Sequence, residues 1–326
     1  MAHGTPGIDI IKNAVLLACR APSVHNSQPW YWVYDERGLE LFLDPGRRLD
    51  SADPSGREAI ISCGAVLDHL RVAIAVAGWQ ANVDRFPNPN NRDHLASVQF
   101  SPVDFITDIQ RQRAEAILQR RTDRLPFGRP TYWMSFEPVL RSYVDGSIAM
   151  LDVLADDVRP ELARASQLTE ALRRDDASYQ AELQWWTSPF DLYQGIPPEA
   201  LASASERRRV DVARDFPARS LTDRRTDIAV DWSKILVLST AEDTRADALG
   251  CGEALSSVLL ECTMAGMATC TLTHLLELHD SRDIVRNLIG QRGQPQVLIR
   301  VGIAPPAEEL PPATPRRPLD QVLEIR

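Results

Sequence analysis

"GREAIISCGAVLDHLRVAIAVAGW", Gly56 to Trp79, is too long for a strand and apolar on nearly every side. That pattern describes a helix buried all round rather than one lying on a surface. A second stretch, "DALGCGEALSSVLLECTMAGMATCTL" (Asp247–Leu272), repeats it. "CGAVL" at Cys63–Leu67 matches "CGEAL" at Cys251–Leu255, and Ala77–Gly78 matches Ala265–Gly266, all at one constant spacing. Both segments run on into a strand-like piece. Small and aliphatic residues recur by chance, so two unrelated buried helices would produce part of this match. A duplicated unit explains all of it: Gly64 and Gly252 would let the helices approach closely, and the two units would pack as a two-fold dimer does, within one chain. The expected class is α+β, two fused halves forming an intramolecular pseudo-dimer around buried central helices.

The flanking sequence fits that frame. "DIIKNAVLLACR" (Asp9–Arg20) has the spacing of an amphipathic helix that stops before Pro22. "WYWVY" and "LELFL" flank "DERG" and predict a β-hairpin turning at Gly38. "ANVDRF" and "HLASVQF" predict two more strands separated by the turn-forming "PNPNN". The second half, 106–326, opens with a polar helix over Ile106–Arg120, then a strand in "SIAMLDVLA" and a helix in "RPELARASQLTEALRR". Strands follow at "KILVLST" and "QVLIRVG". Between these, about Ala181 to Asp231, regular pattern fades into a segment rich in Pro, Ser, Arg and Asp. A stretch that long inside a compact fold is either a lid over a pocket or a passive surface insertion.

Bulk properties exclude several classes. A net charge of -9 over 326 residues gives no basic field for a nucleic-acid backbone. Polar residues interrupt the longest apolar runs, so no membrane span is expected, and "MAHGTPGIDI" lacks the basic and apolar segments of a secretory signal. The five cysteines form no CxxC pair and mostly lie in apolar stretches, as reduced thiols of a cytoplasmic protein do. No HExxH, GxSxG or GxxxxGK[ST] occurs, and the histidines form no tight ligand group, so no metal site is expected.

Two stretches carry chemistry. "RAPSVHNSQPW" (Arg20–Trp30) places Ser23, Asn26 and Gln28 at one connection, offering donors and acceptors without net charge, with His25 among them. Such a set suits the edge of a planar heterocycle with alternating carbonyl and N–H groups; it also suits a heavily bonded turn capping Trp30. "QRRTDR" brings Arg120, Arg121, Thr122 and Arg124 together at a helix end. Planar guanidinium groups bind phosphate oxygens in pairs, although this chain is Arg-rich throughout and such runs also occur as solvated surface. A third basic spot, "TPRRPLDQV", follows the last long strand.

Together, "APSVHNSQPW", "RRTDR", "GMATCTL" after a buried helix and the terminal "RVGIAP…PRRPLDQV" resemble the flavin-dependent nitroreductase family. The order of the pieces and the fused length are similar to its mycobacterial Acg-type, dormancy-associated group. The resemblance covers nearly the whole chain apart from the middle insertion. It implies FMN held between the halves, the ring contacted by Ser23, Asn26 and Gln28, and the phosphate by Arg120, Arg121, Thr122 and Arg124. Arg316 and Arg317 would also reach the phosphate, and Thr271 and Thr273 would lie near the ring. The implied chemistry is hydride transfer from NAD(P)H through flavin N5 to a nitroaromatic, quinone or similar acceptor, with no side-chain acid or base. An ordinary member carries the basic motif ahead of the Ser/Asn/Gln loop in one subunit; here 1–105 holds the loop and 106–326 the Arg cluster. One composite site results, hence one FMN per chain in a monomer that imitates a dimer, with small-molecule donor and acceptor as its partners. If the insertion closes over the ring, the protein would instead bind or sequester flavin with little turnover.

Overall fold

The computed structural model describes residues 5–188, 193–305 and 312–326; Met1–Gly4, 189–192 within the expected insertion and 306–311 lie outside the described residues. The apolar segment Gly56–Trp79 forms α2 (Arg57–Val76), and its counterpart forms α8 (Arg245–Met264). The two cross at their glycines. A Cβ on Gly64 would stand 2.0 Å from Leu249 O, and a Cβ on Gly252 would stand 2.0 Å from Ile61 O. Neither position accepts a side chain, and each glycine meets the carbonyl three residues before the other.

Around the pair lie two sheets. The first takes β1 (Trp30–Asp35), β2 (Gly38–Leu43), β3 (Trp79–Arg85) and β4 (His94–Pro102), in the order β3-β4-β2-β1. The second takes β5 (Met150–Val153), β6 (Lys234–Thr240), β7 (Ala268–Leu272) and β8 (Gln294–Gly302), in the order β7-β8-β6-β5. All of these pairings are antiparallel, and the strand after each long helix takes the edge. The first sheet has one addition: β9 (Leu323–Ile325), from the far end of the chain, pairs in parallel with β1. Residues 323–325 of the second segment therefore lie in the first sheet.

Alternation along the second sheet assigns its faces. Leu236, Leu238, Val297, Ile299 and Val301 turn toward α2 and α8, in one apolar core that also takes in Trp32, Leu41 and Val98 of the first sheet. Ile235, Val237 and Leu298 turn the other way, under α5 (Arg159–Arg173) and α9 (His279–Leu288). α2 has the length and hydropathy of a membrane span, but its apolar stretch is 83% buried inside this core.

α1 (Ile8–Ala18) and α3 (Asp108–Gln119) pack beside α2, and α3 starts on a capping box between Thr107 and Gln110. No sequence pattern marks α4 (Trp133–Ser142), which enters through a left-handed Tyr132 and contains Pro138. The insertion, expected without regular pattern, begins within α6 (Ala177–Trp186) and includes α7 (Ala204–Arg208). α7 is short, but Ser203 and Glu206 cap its first turn reciprocally.

Candidate functional site

Three connections converge at one end of the α2–α8 pair. The loop after α1 carries three non-glycine residues in the left-handed region within four positions, His25 (φ 48°), Asn26 (φ 57°) and Gln28 (φ 52°). Backbone of that kind persists only where its surroundings hold it. Ser23 Oγ accepts from Gln28 N (3.0 Å), and Ser62 Oγ on α2 accepts from Val24 N (3.1 Å). The segment after α3 is extended and docked on the second sheet: Thr122 bridges Thr269, and Asp123 N donates to Thr269 O (2.8 Å). The third connection, 312–318, leads into β9. Arg316 ties it to the first loop, its guanidinium donating to the carbonyls of Cys19 (2.8 Å), Arg20 (3.1 Å) and Ala21 (3.3 Å).

Two clefts open between these connections. A basic cleft of about 940 Å³ is lined by Arg20, Arg120, Arg121, Arg124, Arg224, Arg225 and Arg316, with Ser23, Asn26 and Thr122. Among the described residues lining it, Asp123 is the one carboxylate, and it is ion-paired to Arg225. The surplus of positive charge shows in the arginines themselves. Burial and then Arg20 lower the Arg120 pKa to about 10; burial, Arg20 and Arg120 lower that of Arg316 to about 9. Arg120 Nε is buried without a hydrogen-bond partner. Buried guanidinium groups that repel one another and keep an unused donor form a site for a multiply charged anion.

The second, inner cleft of about 1030 Å³ shares Ser23, Thr122 and Arg124 with the first. Val24, Ile61, Leu255 and Val297 give it apolar walls, and His25, Glu58, Thr271 and Thr273 line it. Thr273 Oγ1 accepts from Arg214 Nη2 (3.2 Å). The insertion walls both clefts, through Ala200, Arg224 and Arg225 on the basic side and Arg214 and Phe216 on the inner side. It is also fastened to the first loop, since Asn26 Nδ2 donates to Gly195 O (3.0 Å) and Gln28 Nε2 to Tyr193 O (2.8 Å).

Of the residues singled out from the sequence, Ser23, Asn26, Arg120, Arg121, Thr122, Arg124 and Arg316 meet at the basic cleft, and Thr271 and Thr273 at its neighbour. Gln28 and Arg317 line neither. The Gln28 amide is fully buried, its Oε1 accepting from Arg317 N (2.8 Å) while its Nε2 serves the insertion; the Arg317 guanidinium turns to Asp44 (3.3 Å) and to the carbonyls of Gln28, Trp30 and Gln321. Sequence reading passed over Arg20, Glu58, Arg214 and Phe216. Glu58 had a signal, one of two carboxyl groups (with Asp68) in a largely apolar run; the other three are placed by tertiary contact alone.

Comparison with known proteins gives this geometry a relationship. The chain is 59% identical over 318 residues to a Mycobacterium tuberculosis protein provisionally named NAD(P)H nitroreductase acg, covering 98% of this chain and 96% of that one. The chain belongs to the Acg-type nitroreductase family. A second member, the uncharacterized M. tuberculosis protein Rv3127, is 65% identical, covering 97% of this chain and 93% of its own length. A third, provisionally named NAD(P)H nitroreductase Rv3131, is 38% identical, covering 98% and 92%. No protein-family model matches the chain. Among solved structures, the FMN-dependent nitroreductase NfnB of Mycobacterium smegmatis, in complex with NADPH, aligns at 19% identity and a TM-score of 0.40, covering 66% of this chain and 97% of that one. Family membership places the two clefts in an α+β nitroreductase-like fold, and in this chain residues of the Ser/Asn loop and of the Arg cluster line the same basic cleft.

Proposed function

We propose that the chain is an FMN-dependent oxidoreductase of the NAD(P)H nitroreductase type, with one composite flavin site. The observation that carries this reading is the arginine cluster: among the described residues lining the cleft, seven are arginines and one is a carboxylate, and Arg120 keeps a buried, unused N–H. That donor set fits the dianionic phosphate of FMN. Arg120, Arg121, Thr122 and Arg124 would hold the phosphate, and Arg316 would add charge, its own N–H groups being committed to backbone carbonyls. Ser23, Asn26, Thr271 and Thr273 would hold the polar parts of the ring. Gln28 and Arg317 act one step back, locking the strained loop that presents Ser23 and Asn26. Bound FMN supplies two-electron hydride chemistry between a nicotinamide and a nitro or quinone acceptor. The protein contributes binding, orientation and, through the insertion, exclusion of water.

The reciprocal seating of Gly64 and Gly252 and the matching strand orders favour the fused pseudo-dimer, acting as a single chain. A second reading has an observation of its own: Phe216 and Arg214 come from the insertion and stand in the wall of the inner cleft. If they cover the ring, flavin is held without turnover.

The test is the purified protein's visible spectrum and its anaerobic titration with NADH and NADPH. The expected result is bound FMN that bleaches with a nicotinamide. Bleaching with dithionite alone selects the second reading, and failure to retain or take up FMN overturns both. Arg120→Ala with Arg121→Ala is expected to weaken FMN binding by at least two orders of magnitude, since each charge-assisted hydrogen bond contributes roughly 1.5–3 kcal/mol.

A further inference from the structure

Glu58, in the first turn of α2, lines the inner cleft, is 2% exposed, and has no hydrogen-bond partner on either carboxyl oxygen. Arg57 Nη2 stands 3.5 Å from Oε1, but that guanidinium is already committed, donating to Gln296 O and Oε1 (2.9 Å each) and to Leu276 O (3.3 Å). Two further carboxyl groups act on Glu58. The loop before α2 brings Asp53, whose Oδ2 accepts from Ala59 N (2.8 Å), and the segment after β7 brings Glu277. The insertion brings the cation Arg214, which is engaged by Glu277, by the Tyr179 hydroxyl and by Thr273. Burial first, then Glu277 and Asp53, push the Glu58 pKa up to about 8, so the group carries a proton at neutral pH.

The other titratable groups lining this cleft do not match it. Burial, with Arg214 and Arg124, keeps His25 neutral, and burial with Arg214 does the same for His274, whose Nε2 is bonded to Ser166 Oγ (2.8 Å). Asp215 is exposed and paired with Arg219 (3.0 Å). Burial makes the Cys270 thiol a still weaker acid.

We propose that Glu58 is the proton donor to an oxygen-centred acceptor, a quinone carbonyl or a nitro group, reduced in the inner cleft. The proposal rests on the flavin reading above, which supplies the reductant. A quinone takes a hydride equivalent from the reduced flavin and one proton to give the hydroquinone; a nitro group takes the same pair to give a nitroso group and water. In each case the Glu58 O–H bond breaks, a new O–H bond forms on the acceptor, and the carboxylate left behind regains its proton from water. Asp53 and Glu277, by opposing that carboxylate, favour its return to the acid.

The test compares the full-length protein with Glu58→Gln. In flavin-free protein, infrared titration is expected to show a carboxylic-acid C=O band at pH 7 that fades through about pH 8 and is missing from the variant. With FMN bound and reduced by one equivalent of dithionite, reoxidation by 1,4-benzoquinone is followed by stopped flow between pH 6 and pH 9. Wild type is expected to slow as pH rises through about 8, and the variant to be about 10²-fold slower and insensitive to pH over that range. FMN affinity and bleaching by dithionite are expected to match wild type, which shows that the variant is folded and loaded. Absence of the band at pH 7, or a variant that reoxidises at the wild-type rate, overturns the proton donor and leaves the flavin site standing. A wild-type protein that retains no FMN overturns both.

Discussion

Three glutamates are buried in the central helix pair, Glu58, Glu253 and Glu261, and the molecule treats the first two in opposite ways. Glu253 on α8 is bound by Arg85 through two bonds of 2.7 Å and approached by Arg71 at 3.3 Å. Glu58 on α2 has no hydrogen bond and faces two other carboxyl groups. The contrast extends to the strands that follow the helices. Arg85 and Thr273 stand at the same distance past Gly78 and Gly266, so one end of the pair is closed by an ion pair where the other opens into a cleft. A buried carboxylate with full pairing consolidates a fold; one without pairing costs stability and points to chemistry.

The comparison can be broken most severely at its centre. Gly64→Val would drive a side chain into the Leu249 carbonyl, and the expected outcome is loss of folded protein by circular dichroism and gel filtration; a soluble, cooperatively melting variant would disprove the close approach. Next is the closed end. Replacing both Arg71 and Arg85 by Ala leaves Glu253 buried without a partner, and chemical denaturation is expected to show a loss of roughly 3–5 kcal/mol.

The open end should respond with the opposite sign. The folded-state pKa of Glu58 lies above the ordinary 4.5, so the folded chain keeps a proton that the unfolded chain releases. Stability is therefore full below about pH 4.5 and falls as pH rises toward about 8. Glu58→Gln is expected to remove that loss, gaining roughly 4 kcal/mol over wild type at pH 8 and little at pH 4.5, read from melting temperatures at both values. The smallest effect belongs to the matched turns. Gly78 (φ 85°) and Gly266 (φ 72°) have open space around them, so Ala at either is expected to cost only about 1–2 kcal/mol of left-handed strain, and equally at both.

Much of this was legible in the sequence because it depends on local pattern. The repeated apolar segments, the hairpin, the long strands and the Arg120–Arg124 cluster follow from periodicity and residue type. The capping box of α7 was also there to be read in Ser203 and Glu206. What periodicity could not disclose is set by contacts between distant segments. With His25, Asn26 and Gln28 all left-handed, the Gln28 amide bonds both the insertion and the C-terminal segment, contacts that residue type alone does not disclose. α4 carries Pro138 in its interior and starts on a tyrosine, so its helical state is imposed by the core around Trp133 and Leu140. Glu58 was passed over because a charge in a largely apolar helix gives no hint of which distant groups surround it.

The pairing of β9 with β1 bears on the order in which the molecule can be assembled. β1 leaves the ribosome early, yet the strand that covers its outer edge is made only after residues 36–322. Until then that edge offers unpaired N–H and carbonyl groups to any passing strand. The first sheet therefore stays incomplete while residues 36–322 are made, and Arg316 and Arg317, which clamp the approach to β9 onto the loop before β1, join the chain just before the strand that closes it.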